Sequence, residues 1–566
     1  MKKKILIMLL AAVMVLSLIP AIAVSVSAVP AVYEVSNEDE LIAAMTAHNT
    51  SKDPGETIKL TADITLSDNW PPVDQDSKKL LYVYGTFDGQ NHTIYNSGVS
   101  DAFLWPCGNS VVENFTLSNK VAPDGDTFTM SGTKNAFATP DATEIKAGEV
   151  TTIRNVTNER SLSSASNYTG AFFRGANIAG TIRFVNCTNN GNYYMCSTSN
   201  LTNTSSAYYG NNQKIGGFMG VVDAGTFIFE NCVNNGNVVA SQGGGFVGAY
   251  KSGCTFTMTN CTNNGEIIGV RGSNTYGNAG GFIGGFNNGG TLESNPTITL
   301  TDCVNTGNVK LATAQERSNG VGGLIGNLGS NASGKNYTLT IRNCVVENCE
   351  IGSVYDSEMT YTQGSAGAIF GKYSNSAAGD TITIENVMVK NVNVTAGDST
   401  KAALFFNAGA NNAITLTNVC AFNSTYAGSV ATGAYSIVSN IAASTNVTVN
   451  KAQGSTPAED KMNLRFLGSI DTLQYLSLGY MIEINDGTAT DYRFVSTKTV
   501  YESVLNGTGT LTKADFDNRF ILAIALEDIA ANATLTFTVT PIALDIEENV
   551  TVGTAKSITL TNGTLS

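Results

Sequence analysis

Tyrosine, cysteine and asparagine recur in this 566-residue chain at spacings that could support chemistry. The tyrosines form two adjacent pairs within one stretch, residues 192–214, which is otherwise rich in Asn, Ser and Thr. Tyrosine rings stack on sugar faces, and Asn and Thr hydrogen-bond to hydroxyl groups. The candidate ligand-binding residues are therefore Tyr193, Tyr194, Tyr208 and Tyr209. The alternative for each ring is packing against neighbouring strands.

Cysteine recurs at one position of a repeated unit, directly after Asn or Asp at the end of a short apolar run. The five residues at this position are Cys187, Cys232, Cys261, Cys303 and Cys344. In stacked units they would lie ~4.8 Å apart with parallel side chains, which is poor geometry for a disulfide. We predict buried free thiols that pack as small hydrophobic groups, with disulfides as the alternative. No CxxC motif supports a zinc site.

Asparagine precedes four of these cysteines, at Asn186, Asn231, Asn260 and Asn343. Asn tolerates the left-handed backbone that turns require. Its amide can also hydrogen-bond to an equivalent amide in the next unit. We therefore predict a structural stack at this position rather than a ligand site.

The chain shows no catalytic constellation. Hydrolases of polysaccharides need paired carboxylates, yet only Asp302 is acidic at the position before the repeated Cys. The two histidines, His48 and His92, fall near the N-terminus, and we expect His48 at the surface. No GxSxG, HExxH or phosphate-binding glycine motif occurs in a suitable context. We predict no catalytic residue, no metal and no cofactor.

Short apolar runs in a fixed order must position these residues. GGFMG, GTFIFENC and GNVVA are followed by GGFVG, CTFTMTNC and GEIIGV, and then by GGFIG, TITLTDC and GNVKL. Cys232 and Cys261 lie 29 residues apart, and Cys261 and Cys303 lie 42 apart. Three runs per repeat indicate a solenoid with three-sided coils, a parallel β-helix whose length variation falls between the runs. The interior column should include Phe218, Phe246, Phe282 and Leu324.

The two ends of the solenoid have different patterns. Asn37 and Glu40 form a capping box that starts a short helix, which should cover the first coil. After Lys451 a short stretch containing Pro457 has the composition of a linker. The strand-like runs beyond it are spaced as in a β-sandwich. The predicted domains are a β-helix with its cap at 29–451, a linker at 452–458 and an Ig-like β-sandwich at 459–566.

The N-terminus and the charge predict the compartment. Three lysines and an apolar run end at Val26-Ser27-Ala28, which is typical of a secretory signal peptide at 1–28; an uncleaved anchor is the alternative. Without it, 29 basic residues face 46 acidic ones, a net charge of −17. Such a balance disfavours nucleic acid as a partner. No later stretch is apolar enough to span a membrane. We predict a secreted or cell-surface monomer.

Several segments together resemble a known family. The helix, IKLTADITL, GTFDGQNHTI and the GGF-x-G and C-x-N-x-G-x-V units are similar to pectate-lyase-like right-handed parallel β-helix proteins of bacterial surfaces, with GLUG-type adhesin repeats. The resemblance covers about residues 32–451 and implies a right-handed fold but no activity. In it Asp88 and Gly89 make a turn and His92 sits on a coil, without a catalytic role. The tail is similar to an uncharacterised module of secreted clostridial proteins, which implies a Gram-positive anaerobe.

Two function classes follow. The first is a binding or adhesion protein, a rigid rod that presents Tyr, Asn and Thr to a glycan or to a host or cell-surface protein. The alternative is a polysaccharide lyase or glycoside hydrolase acting on acidic or plant polysaccharide. Converging acids on one side of the rod would favour the enzyme, and an aromatic row would favour binding. Because Lys214 is the only charge in residues 192–214, binding there should depend little on salt.

Overall fold

The computed structural model describes the chain from residue 30 to residue 565 with gaps. The gaps are residues 68–69, 74–78, 96–101, 120–129, 133–134, 166–167, 196–212, 252, 271–276, 287–294, 312–319, 329–335, 353–363, 374–379, 397–401, 404, 409–413, 423, 427–428, 431–447, 453–460, 468–474, 486, 488–489, 497–518, 526–533, 546–549, 553–555 and 562–563. The predicted signal peptide at 1–28 therefore lies outside the described residues.

Parallel strands, paired from one coil to the next, form the first three sheets, except that Ser429–Val430 pairs antiparallel with Thr425–Tyr426. The register is in phase over many coils: Phe227 pairs with Phe256, Phe256 with Ile298 and Ile298 with Leu339. Alternate residues of these strands are buried, as expected when one face of a strand meets the core. The predicted all-β architecture with long parallel sheets is confirmed, and its topology is that expected of a parallel β-helix.

The largest sheet has 26 strands. They are Val32–Val35, Thr57–Leu60, Ile64–Thr65, Tyr82–Val83, Thr86–Tyr95, Ala102–Pro106, Val111–Leu117, Asn135–Phe137, Val150–Asn158, Phe173–Val185, Thr188–Asn189, Met219–Glu230, Val233–Asn234, Val247–Tyr250, Cys254–Thr259, Thr262–Asn263, Ile283–Phe286, Thr297–Thr301, Val304–Asn305, Ile325–Asn327, Thr338–Arg342, Val345–Glu347, Phe370–Tyr373, Thr381–Lys390, Phe406–Ala408 and Ile414–Phe422.

Two smaller sheets complete the coils. The ten-stranded sheet contains Met130–Gly132, Leu162–Ala165, Tyr193–Tyr194, Val238–Ala240, Ile267–Gly269, Val309–Leu311, Glu350–Gly352, Asn393–Thr395, Thr425–Tyr426 and Ser429–Val430. The seven-stranded sheet contains Tyr168–Gly170, Lys214–Gly216, Gln242–Gly244, Asn278–Gly280, Gly320–Gly322, Ser365–Gly367 and Ala402–Ala403.

The repeated GGF-x-G sequence forms an arch that points into the core. Phe246 lies at its turn and is fully buried, and its ring stacks between those of Phe218 and Phe282 at 4.7 and 5.0 Å. Leu324 is also fully buried. Glycine is required on the arch strands because their backbones touch: a Cβ on Gly248 would lie 2.6 Å from the backbone nitrogen of Ile215 in the preceding coil.

A helix, α1 (Glu38–Ser51), follows the first strand. Asn37 accepts a hydrogen bond from the backbone N–H of Glu40 at 3.0 Å, as the capping box predicts. The helix buries Leu41 and Met45 against the first coils. Without these two side chains the core of the first coil would be open to solvent. The helix therefore closes that end of the solenoid.

His48 is buried, so the expectation of a surface residue was wrong. Its Nδ1 donates to Glu56 Oε2 at 2.7 Å, and its Nε2 accepts the backbone N–H of Tyr84 at 3.0 Å. A nitrogen that accepts carries no proton, so this arrangement fixes the neutral Nδ1–H tautomer. The histidine joins the capping helix to the coil beneath it.

The C-terminal region is built of antiparallel strands in two sheets. The first contains Thr448–Ala452, Lys461–Leu467 and Arg519–Ala525. The second contains Tyr475–Asn485, Thr490–Ser496, Thr534–Asp545, Val550–Val552, Lys556–Thr561 and Thr564–Leu565. Ala452 pairs with Lys461 within the first of these sheets. The domain division at 29–451, 452–458 and 459–566 stays a prediction. Among the residues that the structure describes, no helix has the length and apolar character to cross a bilayer.

Candidate functional site

One edge of the rod carries nearly all of the length variation between coils. The outer corner is two residues in every coil that carries the repeated Cys, for example 231–232 and 260–261, and the next corner is three residues at 235–237 and 264–266. By contrast, the connection into the arch is one residue before Gln242–Gly244 and 19 residues (195–213) before Lys214–Gly216. The connection out of the arch is three residues after Val247–Tyr250 and ten (287–296) after Ile283–Phe286.

The connection into the arch and the connection out of it attach at neighbouring points. Gln242, where one arch begins, donates from Nε2 to the backbone oxygen of Phe286, where the next arch ends, at 3.1 Å. Asn278 accepts from Asn327 Nδ2 at 3.4 Å in the same relation. We call this edge, where arch strands begin and end, the seam. A fixed scaffold therefore holds segments of differing length along one line, the arrangement in which loops carry binding functions.

The four candidate tyrosines do not form one exposed set. Tyr193 is fully buried, and its hydroxyl accepts a hydrogen bond from Asn158 Nδ2 at 3.2 Å. It therefore offers no ring face to a ligand, and its predicted binding role is corrected to a packing role. Tyr194 is half-buried and packs against the core. Tyr208 and Tyr209 lie outside the described residues, in a segment that joins the seam.

The five repeated cysteines lie in the interior. All five are fully buried free thiols. Cys261 Sγ donates to the carbonyl oxygen of Phe229 in the preceding coil at 3.5 Å, and Cys303 makes the same contact to Met258. Burial raises the pKa of Cys187, and the pKa values of Cys261 and Cys344 rise for the same reason. At Cys232 and Cys303 burial is opposed by hydrogen bonds from the neighbouring thiols, which lower the pKa. All five thiols are sealed from solvent, so the column is suited to packing.

The asparagines before the cysteines form an outer amide ladder. Each adopts a left-handed backbone, with φ of +53° at Asn186, +54° at Asn231 and +52° at Asn260. Asn231 donates to Asn186 at 3.0 Å, Asn260 donates to Asn231 at 2.9 Å, and Asn343 donates to Asp302 at 3.1 Å. Their amides are thus used in contacts between coils.

A second, inner amide ladder escaped the sequence analysis. It lies two residues after Val156 and after four of the repeated cysteines, and its members are all fully buried: Asn158, Asn189, Asn234, Asn263 and Asn305. The Nδ2 of each of the first four donates to the Oδ1 of the next member at 2.7–2.8 Å. The alternation of side chains along a strand could have revealed this ladder, because a residue two places after an inward-pointing Cys also points inward.

Arg160 caps the inner ladder. It is fully buried, and its Nε donates to Asn158 Oδ1 at 2.9 Å while one terminal nitrogen donates to the carbonyl of Ala171 at 3.1 Å. The amide dipoles of the ladder share one direction, with their oxygen ends toward Arg160. A cation at that end is electrostatically favourable. The outer ladder runs oppositely, and its first amide, on Asn114, donates to the Asp88 carboxylate at 3.0 Å.

Seven acids of the described coils form ion pairs with Lys or Arg, and these pairs are spread along the rod. The pairs link Arg154 with Glu113, Arg183 with Glu230, Lys251 with Asp223, Lys310 with Glu266 and Glu350, Arg342 with Glu385, and Lys390 with Glu347. Within the described ranges, His, Cys, Asp and Glu nowhere form a group of three or more suited to a metal ion.

Asp141 and Glu144 come nearest to a pair of carboxylates in different environments. Burial raises the pKa of Glu144, whereas hydrogen bonds from Thr143 lower the pKa of Asp141. Opposed shifts of this kind occur in acid–base catalysis. Here, however, Glu144 Oε2 accepts from the backbone N–H of Asp141 at 2.8 Å, as in a capping turn. The pair thus stabilises its own turn.

An aromatic row lies on the outside of the first coils. The rings of Tyr82 and Trp105 stack with centroids 4.7 Å apart, and those of Tyr82 and Tyr84 with centroids 5.9 Å apart. All three side chains are half-buried. Their pairing across coils follows from the register of Tyr82 with Trp105, which the sequence alone did not reveal.

Comparison with known proteins adds one weak similarity. No family model matches the chain, and no curated protein matches it. Among solved structures, a "putative immunoglobulin A1 protease" from Bacteroides ovatus aligns over 62% of this chain and 81% of its own, with 16% identity and a TM-score of 0.28. At that TM-score the alignment supports no statement about fold or function.

Proposed function

We propose that this chain is a secreted or cell-surface binding or adhesion protein, a rigid β-helical rod that presents seam loops to a glycan or protein ligand. The confinement of length variation to the seam carries the proposal. A scaffold that keeps two corners at two or three residues while a third ranges from one to 19 holds its variable segments on one line. The right-handed twist, the likeness to GLUG adhesins and the Ig-like tail belong to the same proposal.

A glycan is the ligand that the chemistry of the seam favours. The longest connection includes Tyr208 and Tyr209 among Asn, Ser and Thr, residue types that stack on sugar rings and bond to hydroxyls. The half-buried row of Tyr82, Tyr84 and Trp105 offers a further aromatic surface.

The alternative, a polysaccharide lyase or glycoside hydrolase, receives less support. Such enzymes need at least two carboxylates that act on the same substrate, whereas Glu113, Glu230 and Glu385 are each held in an ion pair between neighbouring coils. Asp141 and Glu144 would be the residues to replace if polysaccharide cleavage were observed.

A glycan array with matched tyrosine variants tests the proposal. The double variant Tyr208→Ala/Tyr209→Ala should lose glycan binding without a change in melting temperature, because a connection contributes little to the core. Tyr193→Ala is the control: it removes a fully buried ring and should lower the melting temperature. Wild-type binding by a folded double variant would remove these two residues from the site.

A further inference from the structure

Two cations from different coils lie over one tyrosine ring at the start of the seam. Tyr168 opens the first strand of the seven-stranded sheet and pairs with Lys214 of the next strand. Lys214 Nζ is 5.0 Å from the Tyr168 ring centroid, and the Arg174 guanidinium carbon is 5.9 Å from it. Tyr168 is half-buried and Arg174 is exposed. Cation–π attraction thus holds both charges in place.

These two charges have no carboxylate partner among the described residues. Lys214 is only 3% exposed, and its nearest acid in electrostatic terms, Asp223, is paired with Lys251 at 2.8 Å. The preceding connection, residues 196–212, contains no Asp or Glu. By contrast, the coil cations Arg154, Arg183 and Arg342 are all ion-paired. The cluster is therefore an unneutralised positive spot on a chain of net charge −14.

The cluster is costly to the fold. Burial, followed by the repulsion of Lys251, lowers the pKa of Lys214 to about 8. A buried ammonium without a partner destabilises the folded state. The neighbouring Gln213 also has a buried Oε1 without a hydrogen-bond donor. Groups that are left unsatisfied in this way are characteristic of binding sites.

We propose that Tyr168, Arg174 and Lys214 form a subsite for the anionic group of an acidic sugar, a carboxylate or a sulfate. The anion accepts charge-assisted hydrogen bonds from the exposed Arg174 and the deeper Lys214. Gln213 Oε1 accepts from a sugar hydroxyl. Tyr168 is a positioning residue that holds the two cations. This inference rests on the proposed binding function and names its ligand class.

The subsite reverses the salt dependence expected from the sequence. With Lys214 as the only charge in residues 192–214, recognition appeared neutral, but the coil register adds Arg174. Binding through two cations weakens as salt rises. It also weakens as pH rises through about 8, since Lys214 then loses its proton. The charged groups that act on Lys214 are Lys251 and Asp223, and both Lys214 and Arg174 lie over the titratable Tyr168 ring.

Isothermal titration calorimetry on the full mature chain tests the subsite. The probes are a galacturonate oligosaccharide, its methyl ester, a sulfated oligosaccharide and a neutral one. The variants are Arg174→Gln and Lys214→Met. Arg183→Gln is the matched control, because it removes one exposed positive charge from the same strand but from an ion pair with Glu230.

An acidic probe should bind, and each subsite variant should weaken it about 10-fold or more, the loss of one charge-assisted hydrogen bond. The control should change affinity less than about 2-fold, as for a surface ion pair. Preference for galacturonate or for the sulfated probe identifies the anion, and either result supports the subsite. Loss of binding on methyl esterification supports a carboxylate.

Acidic binding that both variants leave unchanged would overturn the subsite. Binding of neutral but not acidic probes would also overturn it, while the binding rod would stand. Absence of binding to every glycan would overturn both the subsite and the glycan form of the proposed function. Should Lys214→Met fail to fold, the exposed Arg174→Gln variant decides the test alone.

Discussion

Two adjacent asparagines, Asn263 and Asn264, give the sharpest test of the inner ladder. Asn263 is fully buried, and its Nδ2 donates to the Gly265 carbonyl at 3.0 Å and to Asn305 Oδ1 at 2.7 Å. Its Oδ1 accepts from Asn234 Nδ2 at 2.7 Å. Asn264 also bonds to a neighbouring coil, donating to an equivalent Asn at 2.8 Å, but it is exposed.

Alanine at position 263 should destabilise the chain strongly. It leaves the Gly265 carbonyl and Asn305 Oδ1 without this donor in a dry interior, and each buried polar group left unsatisfied costs about 1–3 kcal/mol. Asn234 keeps its bond to the Gly236 carbonyl, so its loss is partial. The total is about 3–5 kcal/mol. Asn264→Ala should cost at most about 1 kcal/mol, because water replaces the lost partner.

Urea unfolding of both variants, followed by circular dichroism under identical conditions, measures the difference. Asn263→Ala should unfold at a clearly lower urea concentration than Asn264→Ala, which should resemble the wild type. Equal midpoints for the two variants would refute the buried ladder, since both side chains bond to a neighbouring coil and only Asn263 does so in the interior.

Two further predictions concern other buried groups. Because folding lowers the pKa of Lys214 from 10.5 to about 8, its charge costs stability fully below pH 8, and the cost disappears as pH rises to about 10.5. Lys214→Met should therefore have a higher melting temperature than the wild type at pH 7, and this difference should vanish above pH ~10.5. Thermal melts of both proteins at pH 7, 9 and 11 measure it. Cys261→Ser should lower the free energy of unfolding by roughly 1–3 kcal/mol, since it places a hydroxyl in the thiol column; wild-type stability would argue against a dry column.

The parts of the fold that follow from local pattern could be predicted from the sequence. Fixed spacing between apolar runs identified the interior phenylalanines, such as Phe218 and Phe246, and the capping box identified the helix start at Asn37. Each depends on neighbours in sequence or on a repeat that stacks like on like.

The parts of the fold that depend on the register between coils could not be predicted from the sequence. Tyr193 belongs to a tyrosine pair that looks like loop chemistry, yet its strand pairing with Val238 turns the ring inward. Arg174 and Lys214 are 40 residues apart and lie over the same ring only because Tyr168 pairs with Lys214. His48 was expected at the surface because no sequence signal linked it to Glu56 and Tyr84.

Incubation of the mature chain with a fluorescently labelled acidic polysaccharide, followed by size-exclusion chromatography, tests the central claim most directly. The binding rod predicts that label co-elutes with the protein and that, after the protein is removed, the polysaccharide keeps its original length. Polysaccharide shortened by the protein would contradict the account and establish an enzyme. Label that elutes apart from the protein at low salt, for acidic and neutral polysaccharides alike, would contradict glycan binding.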